Sequence, residues 1–290
     1  MTAVPAPPNA QLVVQVENSQ FARPQSGLAG AAIVYEYVAE GGISRFSAIY
    51  SAPPASVVGP VRSARLATIE LLRLYGAVLM YSGGSHYING LLSQSGLPHY
   101  DETAAGGDLF RIGSRAPPHN LYTDGAHMRE LLGKARAPSI TYSFPVISAT
   151  PAGGRLTGSF RVPVSTFERP SWKWDQTLRA WTRTEPDTGP FLDAVTGQPL
   201  QAATVIVQQV QITTSAQVVD VNGVHGVDHK LTGTGAAQVF VTGREYDATW
   251  TQPAAGAPEF TLADGRPAPM APGLLWIELV ATGSPAVVTG

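Results

Sequence analysis

The sequence predicts an α+β protein, with an N-terminal α/β-type domain on a mixed sheet and a C-terminal β-rich sandwich or small barrel. Three observations carry this. In the first half, apolar runs of strand length alternate with helical spacing. In the second half, β-branched runs recur between glycine-containing turns. Between the two, alanine, proline and glycine crowd together at residues 149–154 (ATPAGG), the texture of a boundary. The expected division is an N-terminal extension over residues 1–21, an α/β domain with a polar cleft over 22–150, and a β-rich domain over 155–290 with its own core.

Taken in order, residues 31–38 (AAIVYEYV) and 43–50 (ISRFSAIY) read as two strands around Glu40-Gly41-Gly42, where glycine can take positive φ. Residues 63–75 place Leu66, Ile69, Leu72 and Leu74 at near-helical spacing, and a short apolar strand follows at 77–81. Residues 84–95 and 126–135 read as further helices, the second with Met128, Leu131 and Leu132 on one side. In the second half, residues 204–213 (TVIVQQVQIT), 237–241, 246–251 and 276–280 read as strands. Turn signals stand between them at Asp193 to Gly197, Asn222-Gly223, Gly233 to Gly235, Thr242-Gly243-Arg244 and Asp264-Gly265.

Composition narrows the function. Nineteen Lys+Arg against 21 Asp+Glu leave a net charge of -2, so no whole-molecule field attracts nucleic acid or an anionic membrane, and anion recognition must be local. Cysteine is absent, which removes disulfides, thiolate catalysis and Cys-ligated zinc together. No apolar run is long enough to span a bilayer, and the start MTAVPAPPNA has neither the basic nor the apolar region of a signal peptide.

Arginine, histidine, glycine and small polar residues are dense between residues 22 and 123, in turn-rich segments beside apolar runs. GPVRSAR (59–65) is the sharpest: Ser63 is expected to cap the next helix, with Arg62 and Arg65 beside its amino end. Cations there oppose the helix dipole unless an anion offsets them. YSGGSH (81–86) follows a predicted strand and opens a helix, the place where α/β folds put ligands, and offers Ser82, Ser85 and His86. It is neither a phosphate-binding P-loop nor a nucleophile elbow. RAPPHNLYT (115–123) holds Arg115, His119 and Asn120 in a proline-stiffened loop.

Glu36 and Glu40, near Arg45, read equally well as a general acid/base pair or as ion-pair partners of Arg23 and Arg45. Trp172, Trp174 and Trp181 read as core or cross-strand packing before sugar stacking. His225, Asp228 and His229 (HGVDH) read as exposed loop residues, because Gly226 in a β-rich region argues against the helix that an i, i+4 metal pair needs.

In this order, ARPQSGL (22–28), AAIVYEYVAEGGISRFSAIY (31–50), VGPVRSAR (58–65), YSGGS (81–85) and RAPPHNLYT resemble the YerB-like lipoprotein family of bacteria, a domain of unknown function. The β-rich half is similar to that family's C-terminal domain through residues 193–197, 233–240, Gly243, Trp250 and 272–276. The resemblance implies an exported, often lipid-anchored envelope component whose signal segment would precede Met1. It implies no catalytic residue. The strand-turn-strand followed by an arginine motif also resembles, in pattern, the envelope phosphotransferases of the LytR type, which use an arginine-lined pocket.

The expected function is binding of an anionic envelope ligand, phosphorylated or carboxylated, by Arg45, Arg62, Ser63, Arg65, Ser82, Ser85, Arg115 and Asn120. The alternatives are a transferase or hydrolase with His86, His119 or Glu40 as acid/base, and a non-catalytic scaffold that docks an envelope protein. No metal, cofactor or nucleic-acid partner is expected, and membrane contact only through an N-terminal anchor. Arg62, Arg65, Arg115 and His119 are expected to line one cleft, since anion recognition needs several donors aimed at one point.

Overall fold

The structure, a computed structural model, describes residues 11–136, 144, 146, 153–220, 223–254 and 256–290. The start MTAVPAPPNA, most of ATPAGG and Asn222 lie outside the described residues.

The elements used below are, in chain order, β1 (Leu12–Glu17), β2 (Ile33–Val38), β3 (Ser44–Tyr50), α1 (Leu66–Tyr75), β4 (Val78–Met80), α2 (His86–Ser95), β5 (His99–Tyr100) and α3 (Gly125–Lys134). The second half contributes β6 (Ser159–Arg161), β7 (Ser171–Asp175), β8 (Ala180–Glu185), β9 (Thr204–Val218), β10 (His225–Lys230), β11 (Thr234–Val241), β12 (Arg244–Thr251), β13 (Glu259–Leu262), β14 (Leu275–Ala281) and β15 (Val287–Val288).

Among the described residues, twelve strands form one sheet, whose main path runs β13-β12-β11-β9-β14-β2-β3-β1-β4-β5. Its inner pairings are mixed: β14 is parallel to both β9 and β2, while β3 is antiparallel to β2 and β1. The fold is α+β. The independence expected of the two halves does not hold, because β14, from the end of the chain, lies between β9 and β2. Apolar residues on both faces of β2 and β14 leave no surface along which the halves could part. Nor are residues 12–17 an extension: LVVQVE is buried throughout and sits between β3 and β4.

One face of the sheet is covered by α1 and α2, through Ala67, Leu71, Leu72, Ile88 and Leu92 against Val13, Tyr35, Ile49 and Leu79. α1 starts two residues later than Ser63 would place it. Arg65 is its N-cap residue, the Arg65 N–H donates to Thr68 Oγ1 at 2.9 Å, and Ser63 stays outside the helix. Ser85 does cap α2, accepting from the Ile88 N–H, and Asp124 caps α3 by accepting from the Ala126 and His127 N–H groups.

The opposite face is covered by α3 and by a smaller sheet in which β8, β7, β6 and β15 are neighbours. Trp172 and Trp181 are fully buried there, as core packing predicts: Trp172 meets Trp276 edge-on at 5.5 Å, and Phe160 stacks on Phe240 at 3.6 Å. The two layers are tied by charge. Arg183 of β8 is fully buried, with Nη1 at 2.6 Å from Glu36 and 2.9 Å from Glu278, and Nε at 2.7 Å from Glu185. Its guanidinium lies within 6 Å of the rings of Phe46, Trp172, Phe191 and Trp276, closest to Trp276 at 4.9 Å.

Glu36 and Glu278 are register partners on adjacent parallel strands. Burial and the Glu36 charge push Glu278 well above the ordinary carboxylate range; Glu36 also feels burial but is held below it by Arg183. The shared cation thus favours the charged form of Glu36, while burial beside Glu36 disfavours the charged form of Glu278. Glu36 accepts further from Ser44 Oγ at 2.6 Å and from Asn18 Nδ2 at 3.2 Å. Glu36 is thus an ion-pair partner, of Arg183 instead of Arg23 or Arg45.

Two outcomes follow. Calorimetry of the whole chain should show one unfolding transition; two well-separated transitions would mean that the halves fold apart. Arg183→Met should lower stability by about 3–5 kcal/mol in denaturant titrations at neutral pH, because it strands buried carboxylates without their cation.

Candidate anion site at the strand ends

The GPVRSAR segment is wedged between the carboxyl ends of β1 and β4. Glu17 N–H donates to Pro60 O at 3.0 Å and Arg62 N–H to Gln15 O at 2.8 Å. On the other side, Ser82 N–H donates to Arg62 O and Ala64 N–H to Gly83 O, both at 3.0 Å. Gly83 turns the chain there at φ 133°, a conformation that glycine adopts freely. β1 and β4 are parallel, so the segment lies outside the carboxyl ends of parallel strands, where open sheets hold ligands.

This wedge gathers charge. Arg62 Nε is 3.3 Å from Glu17 Oε2, the same oxygen that His119 Nδ1 meets at 2.9 Å. Arg65 Nε donates to Glu40 Oε2 in a very short contact. Arg45 is the register partner of Glu17 and projects from the same sheet face, only 7% exposed. Its Nη1 donates to the carbonyl of Ser44, its Nε has no hydrogen-bond partner, and no carboxylate lies within ion-pair distance among the described residues. Burial, aided by the charges of Arg65 and Arg62, lowers the Arg45 guanidinium to about 10 against the partial relief of Glu17 and Glu40. Three arginines face two glutamates, a local surplus of one positive charge. Ser63 Oγ and Ser82 Oγ stand 3.4 Å apart on the same segments.

Behind the arginines lies a buried hydroxyl–amide network. Gln15 Oε1 accepts from Tyr37 Oη, Ser47 Oγ and Thr68 Oγ1 at 3.1, 2.9 and 2.8 Å. Burial raises the Tyr37 phenol, so Tyr37 stays a neutral donor. Because Thr68 also accepts from the Arg65 N–H, the network fixes the start of α1 and with it Arg65.

Several residues expected at the site are elsewhere. Arg115 reaches back to the carbonyls of Ala22 and Pro24 at 2.8 and 2.6 Å and clamps the ARPQ loop, because an unpaired loop carbonyl is costly and a guanidinium can satisfy several at once. Of the four residues expected to line one cleft, Arg62 and His119 share Glu17, Arg65 pairs instead with Glu40, and Arg115 lies apart. Asn120 accepts from Arg111 Nη1 at 2.7 Å and donates to Ile112 O, closing its own loop. Ser85 is occupied by capping, and His86, the first residue of α2, is exposed. Glu40 is bound to Arg65, which leaves His119 as the histidine at the site. Glu17 was hidden in the sequence because it ends a run that reads as an extension.

His229 and His225 stand on β10, a strand of the β9–β10 hairpin and not a loop. His225 is exposed, but His229 is buried edge-on against Tyr37 at 5.5 Å between centroids. Glycine at 226 leaves room for Leu66 and Val219, whose methyls a Cβ would meet at about 3 Å. Among the described residues no cluster of three His, Cys, Asp or Glu side chains stands at metal-binding spacing.

Comparison with known proteins places this architecture. Residues 2–138 match the N-terminal domain, and residues 160–277 the C-terminal domain, of the family described as "Protein of unknown function (DUF3048)". The chain belongs to the DUF3048 family. Within it, the chain is 27% identical over 275 residues to a Bacillus subtilis (strain 168) protein described as "Putative lipoprotein YerB", covering 93% of this chain and 80% of that protein. It is also similar to the crystal structure of YerB from Bacillus subtilis, with a TM-score of 0.83 and 26% identity over 97% of this chain and 94% of that one. The two matched DUF3048 segments correspond to the two halves that the shared sheet unites.

Burial lowers the His229 imidazole from 6.5 to about 4. The folded state therefore favours neutral His229, a contribution fully present above pH 6.5 and lost as the pH falls toward 4. In urea titrations the wild type should lose about 3 kcal/mol more than His229→Phe over that interval. Parallel pH profiles of the two proteins would show that His229 is not buried as described.

Proposed function

We propose that this protein is an exported cell-envelope component that binds an anionic group, phosphorylated or carboxylated, of an envelope ligand at Arg45, Arg62 and Arg65. The observation that carries the reading is Arg45, a buried guanidinium with no carboxylate partner among the described residues and two further arginines beside it. A buried cation without an ion-pair partner, relieved only in part by Glu17 and Glu40, is unfavourable for folding, which favours a negative partner from outside the chain. A phosphate or carboxylate at the wedge would meet Arg45 and Arg62 together, with the Ser63 and Ser82 hydroxyls in reach as donors. The described relative's name, a lipoprotein, supports the envelope location. Among the described residues no helix is long and apolar enough to cross a membrane.

The His119–Glu17 pair supports a second reading, transfer or hydrolysis on the same ligand. A carboxylate that orients an imidazole beside arginines is the arrangement of a general base next to charge-stabilising donors.

Thermal unfolding with inorganic pyrophosphate as probe separates these readings. Binding to the native state alone should stabilise the wild type by about 2.7 kcal/mol at 100 times the dissociation constant. Arg45→Met should abolish that gain and, without ligand, unfold at higher temperature than wild type by about 1 kcal/mol equivalent. His119→Gln should keep the gain, and only the catalytic reading predicts release of phosphate by wild type. A wild type unmoved by pyrophosphate and by carboxylated peptidoglycan fragments would favour the scaffold.

A further inference from the structure

The outer face of the small sheet carries a second, separate arrangement. Strand register aligns Val287, Arg161, Ser171 and Thr184 in one row across β15, β6, β7 and β8, and Ser159, Lys173 and Thr182 in the next. These residues point away from Phe160, Trp172, Trp181 and Arg183, which fill the inner face, so alternation alone makes this surface cationic and rich in hydroxyls. Neither row carries a carboxylate.

Beside the first row the surface is concave, a groove of about 580 Å³ whose lining includes Arg161, Thr166, Phe167, Arg169, Ser171 and Thr184. The carboxylate in its lining, Glu185, is 1% exposed and turned inward to Arg183 at 2.7 Å. Arg161 makes one long contact, Nε to Ser171 Oγ at 3.5 Å, and neither Arg161 nor Arg169 has an ion pair among the described residues. Phe167 is 70% exposed at the rim, held by Ser165 Oγ, which donates to Gly42 O at 2.6 Å and accepts from the Phe167 and Glu168 N–H groups. Gly42 is needed beneath it: a Cβ there would come within 2.7 Å of the Phe167 ring.

We infer that this groove binds an anionic, hydroxyl-rich polymer, with Arg161 and Arg169 on its phosphate or carboxylate groups and the Ser171 and Thr184 hydroxyls on its polyol. Two guanidiniums without ion pairs among the described residues are suited to planar, bidentate oxyanion contacts. Hydroxyls fixed on a sheet are already ordered, so they cost little entropy on binding a flexible chain. A polymer also presents many equivalent groups to the same groove, which raises apparent affinity over that of one monomer. The residues lining the groove all come from the C-terminal half, and it does not include the Arg45 wedge.

The test is a binding titration of the full chain at low and physiological salt with three probes: a glycerol-phosphate oligomer, a polyuronate of similar length, and neutral dextran. The oligomer or the polyuronate should bind, weakening with salt, and whichever binds more tightly identifies the anion. An Arg161→Ala/Arg169→Ala double variant should lose about tenfold in affinity or more. Both side chains are exposed, so its circular dichroism and unfolding midpoint should match wild type, which separates lost binding from lost fold. Equal affinity of variant and wild type, dextran bound as tightly as the anionic chains, or no binding of either anionic polymer at low salt would each overturn the inference.

Discussion

A carboxyl pair in a dry interior sets the terms for this fold. Pairing β2 with β14 in parallel register puts Glu36 directly beside Glu278, on a face with no access to water. Two adjacent buried carboxylates repel and are poorly solvated, so the pairing calls for a cation delivered from outside the sheet. Arg183 is that cation, and it arrives on β8 of the second sheet. The aromatic rings around it, Trp276 and Phe46 from one layer and Trp172 and Phe191 from the segment that covers them, exclude water and offer their faces to the guanidinium. Docking of the two layers and closure of the central sheet are thus one event. Apolar residues alone would allow the layers to slide; one arginine with three acids fixes their register.

The same strands carry the candidate site on their other face. Neighbouring residues divide between the two: Glu36 goes to the Arg183 network and Tyr37 to the Gln15 network, while Arg45 joins the wedge and Phe46 the aromatic cage. Ser44 belongs to both, its hydroxyl on Glu36 and its carbonyl on Arg45. Asn18, next to Glu17, links Glu36 to Arg23, whose guanidinium continues to Glu168 at 3.0 Å and Asp187. The arginine wedge therefore rests on a rigid polar scaffold that spans the molecule, which is how a buried and unneutralised Arg45 can be held in place.

Much of this was legible in the sequence because the signals were local. Alternation located β2, β3, β9, β11, β12 and β14 within a few residues, and the glycine turns fell where positive φ was required, at Gly41, Gly42 and Gly243. The motif segments were recognisable as polar loops, and the charges of Arg62 and Arg65 both act on Arg45. What escaped depends on long-range pairing. No local signal says that residues 275–281 insert between strands from opposite halves, so ATPAGG read as a border between independent cores. LVVQVE is as regular a strand as any, but behind MTAVPAPPNA it read as tail. Arg115 and Asn120 misled because loop polarity can satisfy backbone carbonyls as readily as a ligand, and HGVDH misled because a strand that buries every second residue hides a histidine as easily as a valine.

The position of β14 also governs when this protein can exist. The strand that joins β9 to β2 is made from residues 275–281, near the end of the chain, so the middle of the sheet stays open until almost the whole polypeptide has been synthesised. Until then β2 and β9 each present an unpaired edge, and Glu36 lacks its register partner Glu278. Such contacts between distant parts of the chain make folding late and slow. A chain of this design leaves its central sheet unfinished until nearly all of it has been made, and β2 and β9 are joined only when residues from both ends of the polypeptide are present together.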